Sequence, residues 1–466
     1  MGSTHATPSE IRLPEGSAWQ KAWQIFFGIG VLGLAAAGAG YSADPKRFTY
    51  AWLFGLMTVL TIGLGSLFFV VIQHLVGAHW SASLRRVAEF VMSGLPAIAI
   101  LVLPLLAGAP YIYSWMAEHG HHAGSGEHAA PHGDEHAAPA AAAEHGGHGE
   151  LGEHGEHGAA HAGHGDVSSP EALAHAEHEA EEALEAKILD GKRAYLNKNA
   201  FYGRAVAYVV IWALLATLYF RFSTKQDEDG SFAHTRSAQS LAPIALVLFG
   251  LSLTFACIDW LMSLDPLWYS TIFGVYCFAM GMVAFFAVLI LILSGLRSAG
   301  ILTKEVTVEH LHDVGKFQFG FNAFWAYIAF SQFFLTYYSS IPEEVTFYHK
   351  RWTLDPSTDP AWATVSVLIG VLHFVVPFVF LMSRNIKRNT SLLPIGAVLL
   401  LVMHVIEIYW LVLPNNGAFA PKLVDVGALL ACVGIFFGVA LKNLTSHSLI
   451  AAKDPRIARA LSFEQV

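Results

Sequence analysis

About ten stretches of roughly 20 predominantly apolar residues run through this chain, each long enough to cross the hydrocarbon core of a bilayer. They lie near Trp23–Gly40, Tyr50–Leu75, Val87–Ala107, Phe201–Phe220, Ser240–Met262, Trp268–Leu296, Leu311–Tyr338, Trp362–Met382, Leu392–Leu413 and Leu423–Leu441. Inside lipid each backbone polar group must find its partner within the protein, which leaves helices as the solution for segments of this length. The expected fold is therefore all-α and integral to the membrane, with about ten transmembrane helices. Composition agrees: 54% of the 466 residues are hydrophobic and 14% charged, too apolar for an ordinary soluble protein. Prolines 96, 104, 243, 377 and 394 fall within or just inside spans and predict kinks rather than breaks.

Lysine and arginine placement sets orientation. Arg12, Lys21, Arg85, Arg86, Arg221, Lys225, Arg236, Arg297, Lys304, Arg384, Lys387, Arg388, Lys442, Lys453, Arg456 and Arg459 fall on one set of connections. The short connections of the other set hold only Lys46, Arg47, Lys350, Arg351 and Lys422. Both termini are expected to be cytoplasmic. The expected organisation is spans one to three over 1–117, an outer, periplasmic insertion over 118–199, spans four to ten over 200–442, and a cytoplasmic tail over 443–466. Within the insertion, Gly120–Val167 is low-complexity Ala, Gly, His and Glu and is expected to be disordered. Ser169-Pro170-Glu171 reads as a helix start, with proline in the first turn, and predicts a surface helix near 170–190. The first 20 residues are polar, so insertion is expected to begin with the apolar segment near Trp23 and no secretory signal is expected.

Cys257, Cys277 and Cys432 all sit in apolar runs without a CxxC or CxxCH motif. No iron–sulfur cluster, no metal site and no covalently bound haem is expected in this chain. The formal charge of -9 is concentrated in the insertion, and there is no basic stripe to suggest nucleic acid.

Ionisable side chains inside spans are costly and therefore mark candidate function. On the terminal side these are His74, Glu89, His312, Asp313 and Lys316, with Asp313 and Lys316 three apart on one helix. Near mid-membrane are His373, His404 and Glu407, and toward the other surface Asp259, Asp265 and Asp425. Two polar half-paths approaching a central pair suggest a proton relay. The same groups admit a packing role through interhelical hydrogen bonds. His373 and His404 also admit a b-type haem, and the kinked helices admit a secondary transporter.

Several longer motifs carry a resemblance. They are Asp259-Trp260-Leu261-Met262-Ser263-Leu264-Asp265-Pro266 with Trp268-Tyr269-Ser270-Thr271, His312-Asp313-Val314-Gly315-Lys316, Phe324-Trp325-Ala326-Tyr327-Ile328-Ala329-Phe330-Ser331-Gln332, Ile341-Pro342-Glu343-Glu344, and Glu407-Ile408-Tyr409-Trp410 with Pro414. From about the fourth span onward the chain resembles the F-subunit family of bacterial alternative complex III, which are polysulfide-reductase/NrfD-like membrane proteins. The resemblance implies two four-helix bundles with peripheral first and last helices. It implies a place in the bacterial inner membrane, in a quinol:cytochrome c or other quinol:electron-acceptor oxidoreductase. The implied partners are a homologous NrfD-like subunit, an iron–sulfur subunit, c-type multihaem cytochrome subunits, membrane lipids and a terminal oxidase. Haem and iron–sulfur clusters would belong to those partners. On this resemblance the chain moves protons coupled to quinol oxidation elsewhere, or binds menaquinone or ubiquinone at a site of its own.

Overall fold

The computed structural model describes residues 10–117, 183–352 and 359–462, and those residues form helices joined by turns, with no strand among them. The low-complexity stretch Gly120–Val167 and the start at Ser169-Pro170-Glu171 lie outside the described residues. Two compact units are present, Glu118–Arg193 and the rest of the chain. Of the smaller unit the structure describes a helix over 183–192, ending where Gly191 predicted an end.

The larger unit contains α1 (Ala18–Ala43), α2 (Pro45–Leu75), α3 (Arg85–Leu101), α4 (Leu103–Ile112), α5 (Lys198–Asp229) and α6 (Phe232–Trp260). It continues with α7 (Phe273–Ser298), α8 (Val308–Ser339), α9 (Pro342–His349), α10 (Pro360–Met382), α11 (Arg384–Arg388), α12 (Leu393–Val412), α13 (Leu423–Ser446) and α14 (Ile457–Leu461). Among the described residues, 8 helices are long and apolar enough to cross a membrane, or 9 when the bent pair α3–α4 counts as one span. The protein is thus a multi-pass, all-α membrane protein. The seventh expected span is α8. Its 32 residues exceed the required length, yet it is absent from the apolar set because Gln318, Asn322 and Gln332 interrupt it.

Helices α2 to α6 pack as one group, and α7, α8, α10 and α12 as another, with α2 against α7 joining them. Helix α2 is the axis: 89% of its most apolar window is buried. Helix α13 lies between α2 and α1. Helix α1 buries only Gly30, Gly33 and Ala37, and these face Gly427, Ala431 and Gly434 of α13. In lipid, helices associate through such close small-residue seams. A Cβ added at Gly33 would sit 2.3 Å from the Ala431 backbone nitrogen, so Gly33→Val is expected to undock α1 at a cost of about 1–3 kcal/mol. Limited proteolysis should then cut near Asp44 while the α2–α13 bundle stays intact; an uncut variant would refute the seam.

The proline expectations resolve individually. Pro104 follows the break between α3 and α4, which bend by 54°. The Trp52 indole N–H donates to the Leu101 carbonyl at that break, 2.7 Å away, satisfying a group that lipid could not. Pro243 sits inside α6 without interrupting it. Pro377 cannot donate to the carbonyl four residues back, that of His373. Immediately before it, Ile369–Val375 runs as a π-helical segment, with Val376 N–H bonded to the Val371 carbonyl.

The tail after α13 folds back onto the bundle. Leu449 N–H donates to the Ile11 carbonyl at 2.7 Å, Leu449 to Ala452 are buried, and Asp454 enters a buried charge cluster. Arg85 Nη2 lies 2.6 Å from Asp454 Oδ2, and Arg456 Nη2 2.8 Å from the same oxygen. Burial pushes the Asp454 carboxyl up, but Arg85 and Arg456 hold it well below the usual carboxylate range. A carboxylate depressed in the native state stabilises fully above its unfolded value of about 3.9 and loses that contribution as pH falls through the native one. Hydrogen-exchange protection of residues 447–462 should therefore hold from about pH 7 down to about pH 4. Loss of protection already at about pH 5 would contradict this.

Candidate functional site

Helix periodicity on α12 places Glu407 one turn after His404, both with 0% exposure. Glu407 points among α7, α8 and α10. Its Oε1 accepts hydrogen bonds from the Tyr276 hydroxyl of α7 and from Trp325 Nε1 of α8, the latter at 2.7 Å. Its Oε2 lies 3.2 Å from Nδ1 of His373, out of line for a hydrogen bond. His373 is brought there by the π-helical turn of α10, and its ring stacks on Trp325 with centroids 4.0 Å apart. Single π turns inside α-helices recur at functional sites, and here Pro377 supplies the local cause.

The electrostatics set this carboxyl apart. Among the described residues no lysine or arginine pairs with Glu407, and its only ionisable partner in an ion pair is His373. Burying an uncompensated ion costs several kcal/mol. A carboxyl and an imidazole at this distance can hold one proton between them, on Glu407 Oε2 or on His373 Nδ1. Moving that proton between the two atoms leaves the total charge unchanged. Tyr276 and Trp325 hold the first oxygen in place and leave the second facing His373. His373 Nε2, on the far side of the imidazole, has no hydrogen-bond partner among the described residues.

His404 faces elsewhere. Its Nε2 is 3.1 Å from Thr61 Oγ1 of α2. The Thr61 hydroxyl donates to the Met57 carbonyl, so the imidazole is the donor in the contact with Thr61. His404 thus contacts α2, whereas His373 contacts α8 and Glu407.

The remaining expected carboxylates are tied to partners, whereas Nδ1 of the buried His74 has no hydrogen-bond partner among the described residues. Asp425 receives Arg47 and the Tyr409 hydroxyl, and accepts the Lys422 N–H at the start of α13. Asp259 is gripped by Arg204 through two 2.8 Å bonds and accepts from Tyr208 at 2.7 Å. Asp265 pairs with Lys350 at 2.7 Å. Glu89 lies between Arg85 and Arg86, 3.0 Å from each, and Arg86 also reaches Asp227 at 2.6 Å. His74 is buried on α2 with its ring 5.6 Å from Tyr219. Asp313 and Lys316 pair at 2.6 Å, as their spacing predicts, and His312 is buried on the same first turns of α8. Asp425, Asp259 and Glu89 are thus held by arginine and Asp265 and Asp313 by lysine, whereas Glu407 faces an imidazole.

Asp313 and Lys316 open an aromatic pocket of about 690 Å³ between α2, α7 and α8, with Trp80, Phe278, Phe317 and Phe321 on its walls. Trp80 and Phe317 stack at 5.6 Å. The described residues contain no group of histidine, cysteine, aspartate or glutamate able to hold a metal ion. A comparison with protein-family models finds none that matches the chain, and a comparison with curated proteins also finds no match.

Sequence reasoning missed Tyr276, Trp325, Gln318, Asn322 and Lys387. A signal was present: buried Trp and Tyr need a partner for N–H and O–H. Gln318, Asn322 and Trp325 also recur at helical spacing inside a span.

Proposed function

We propose that this chain is a proton-carrying membrane subunit of a quinol-oxidising respiratory complex in a bacterial inner membrane, with both termini cytoplasmic. The reading is carried by one observation: a fully buried carboxyl, Glu407, held by Tyr276 and Trp325 and facing His373 with no lysine or arginine among the described residues to neutralise it. Groups of this kind inside the membrane serve proton relays. The motif resemblance supports the assembly: a homologous NrfD-like subunit oxidises quinol, and iron–sulfur and multihaem cytochrome subunits take the electrons on to cytochrome c or a terminal oxidase. This chain then moves protons while its neighbours move electrons. The test is proton movement by the assembled complex in sealed vesicles, with and without the carboxyl at position 407. Proton movement that is indifferent to that carboxyl overturns the reading.

The aromatic pocket favours a second reading, a quinone site in this chain. A flat ring seated on Trp80 and Phe317, with its carbonyl near Lys316 and its isoprenoid tail along Phe278 and Phe321, matches a mostly apolar cleft with few polar groups. A photoreactive quinone analogue should then label the segment around Phe317 and Phe321. Labelling confined to other subunits overturns this second reading.

A further inference from the structure

Helix α8 is polar for a membrane span, and its polar residues are not scattered. Gly315, Gln318, Asn322 and Trp325 follow at spacings of three, four and three, which places them on one stripe of the helix. Asp313, Lys316, Phe317, Gly320, Phe321 and Phe324 form a different stripe, the one that lines the aromatic pocket. The pocket and the polar stripe are thus separate features of the same helix.

The stripe has defined ends. At its start, Gly315 lets α11 pass close by: a Cβ there would lie 3.2 Å from Lys387 Cγ. Lys387 is buried, and its ammonium donates to the Leu381 and Met382 carbonyls at 2.6 and 3.1 Å. At the other end, Trp325 donates to Glu407. Ten residues of helix separate Gly315 from Trp325, roughly 15 Å. Direct transfer of a proton over that distance is impossible, so any connection needs intermediate carriers.

The middle of the stripe shows what fills it. Asn322 has 0% exposure, and neither its amide nitrogen nor its amide oxygen has a hydrogen-bond partner among the described residues. Gln318, also with 0% exposure, donates to the Val283 carbonyl at 3.1 Å, and its own oxygen is left without a partner. Three unpaired polar atoms on adjacent turns would be a severe cost in a dry core. Buried water is the usual partner of such groups, making about three hydrogen bonds each.

We propose that Gln318 and Asn322 hold a file of water molecules along α8 that joins Lys387 to Glu407. The hydration follows from the orphaned amides alone. Its use as a proton route rests on the function proposed above. Asn322, with two donors and an acceptor, orders water at the centre of the file; it is a positioning residue and never itself charged. Lys387 supplies the entry, where burial and the nearby Lys316 pull its ammonium below its ordinary value.

The experiment has two arms on the intact complex. Radiolytic hydroxyl labelling oxidises side chains next to trapped water. Trp325, 3% exposed, should be labelled in the wild type, about fivefold less in Asn322→Leu, and at near wild-type level in Asn322→Asp. An unlabelled Trp325 in the wild type, or labelling unchanged by Asn322→Leu, overturns the water file. In the second arm, Asn322→Leu should slow proton movement about tenfold and Asn322→Asp should restore most of it. If Trp325 labels as expected while Glu407→Gln leaves proton movement intact, the file stands and the proton function falls. If Glu407→Gln stops proton movement while Asn322→Leu does not slow it, the route runs elsewhere and the inference fails.

Discussion

Glu407→Gln is expected to reduce proton movement by the assembled complex about 100-fold, within the range that loss of a positioned acid or base produces, with little change in thermal stability. The amide is the same size as the acid. Its oxygen can still accept from Tyr276 and Trp325, which already hold one side of the carboxyl. What disappears is the carboxyl oxygen opposite His373 Nδ1, the atom that the proposed function needs to carry a proton. Glu407→Asp keeps the acid but withdraws it by one methylene, so it should retain partial function. Tyr276→Phe removes one of two donors to Oε1 and should fall between wild type and Glu407→Gln. Stability and proton movement measured on the same preparations separate this from a folding defect. Equal proton movement in Glu407→Gln and wild type would remove the centre of the mechanism.

Arg85→Ala is expected to cost about 3–5 kcal/mol and to release the C-terminal tail. Three guanidinium groups, Arg85, Arg86 and Arg456, interlock with Glu89, Asp227 and Asp454 in a nearly dry site. Among the described residues Arg85 alone bridges the two halves, with Glu89 on α3 and Asp454 in the tail. Breaking a buried pair from one side leaves the partner charge uncompensated, which costs far more than the pair contributes. Arg456 remains on Asp454 and Arg86 on Glu89, which sets the lower end of that range. Arg85→Lys keeps the charge but cannot reproduce the fork that reaches two carboxylates at once, so an intermediate loss is expected. Denaturation in detergent gives the stability, and hydrogen exchange over residues 447–462 reports the tail. Full tail protection in Arg85→Ala would show that the cluster is not what anchors it.

Position along each helix was readable from sequence, because each helical residue advances by a fixed rise. His373, His404 and Glu407 were placed near mid-membrane on that basis, and α10 and α12 hold them in their expected spans. Which neighbour each side chain meets was not readable. That depends on how helices are rotated against each other, and a single chain carries no local mark of it. His404 and Glu407 are three residues apart on one helix, yet one contacts α2 and the other α7, α8 and α10. The Asp313–Lys316 pair was legible because both partners sit on one helix. The Arg47–Asp425 pair was not, because 378 residues separate its members. The π turn at His373 had a visible cause in Pro377, but only the coordinates show that the local rewinding turns the imidazole toward Glu407.

The polarity of α8 also bears on how the chain is made. A segment carrying Gln318, Asn322 and Gln332 would partition poorly into lipid if released by itself during synthesis. The segment just before it, α7, is the most apolar of the candidate spans, and the two pack directly together. The pair is therefore suited to leave the insertion machinery as a hairpin, the greasy arm carrying in the wet one.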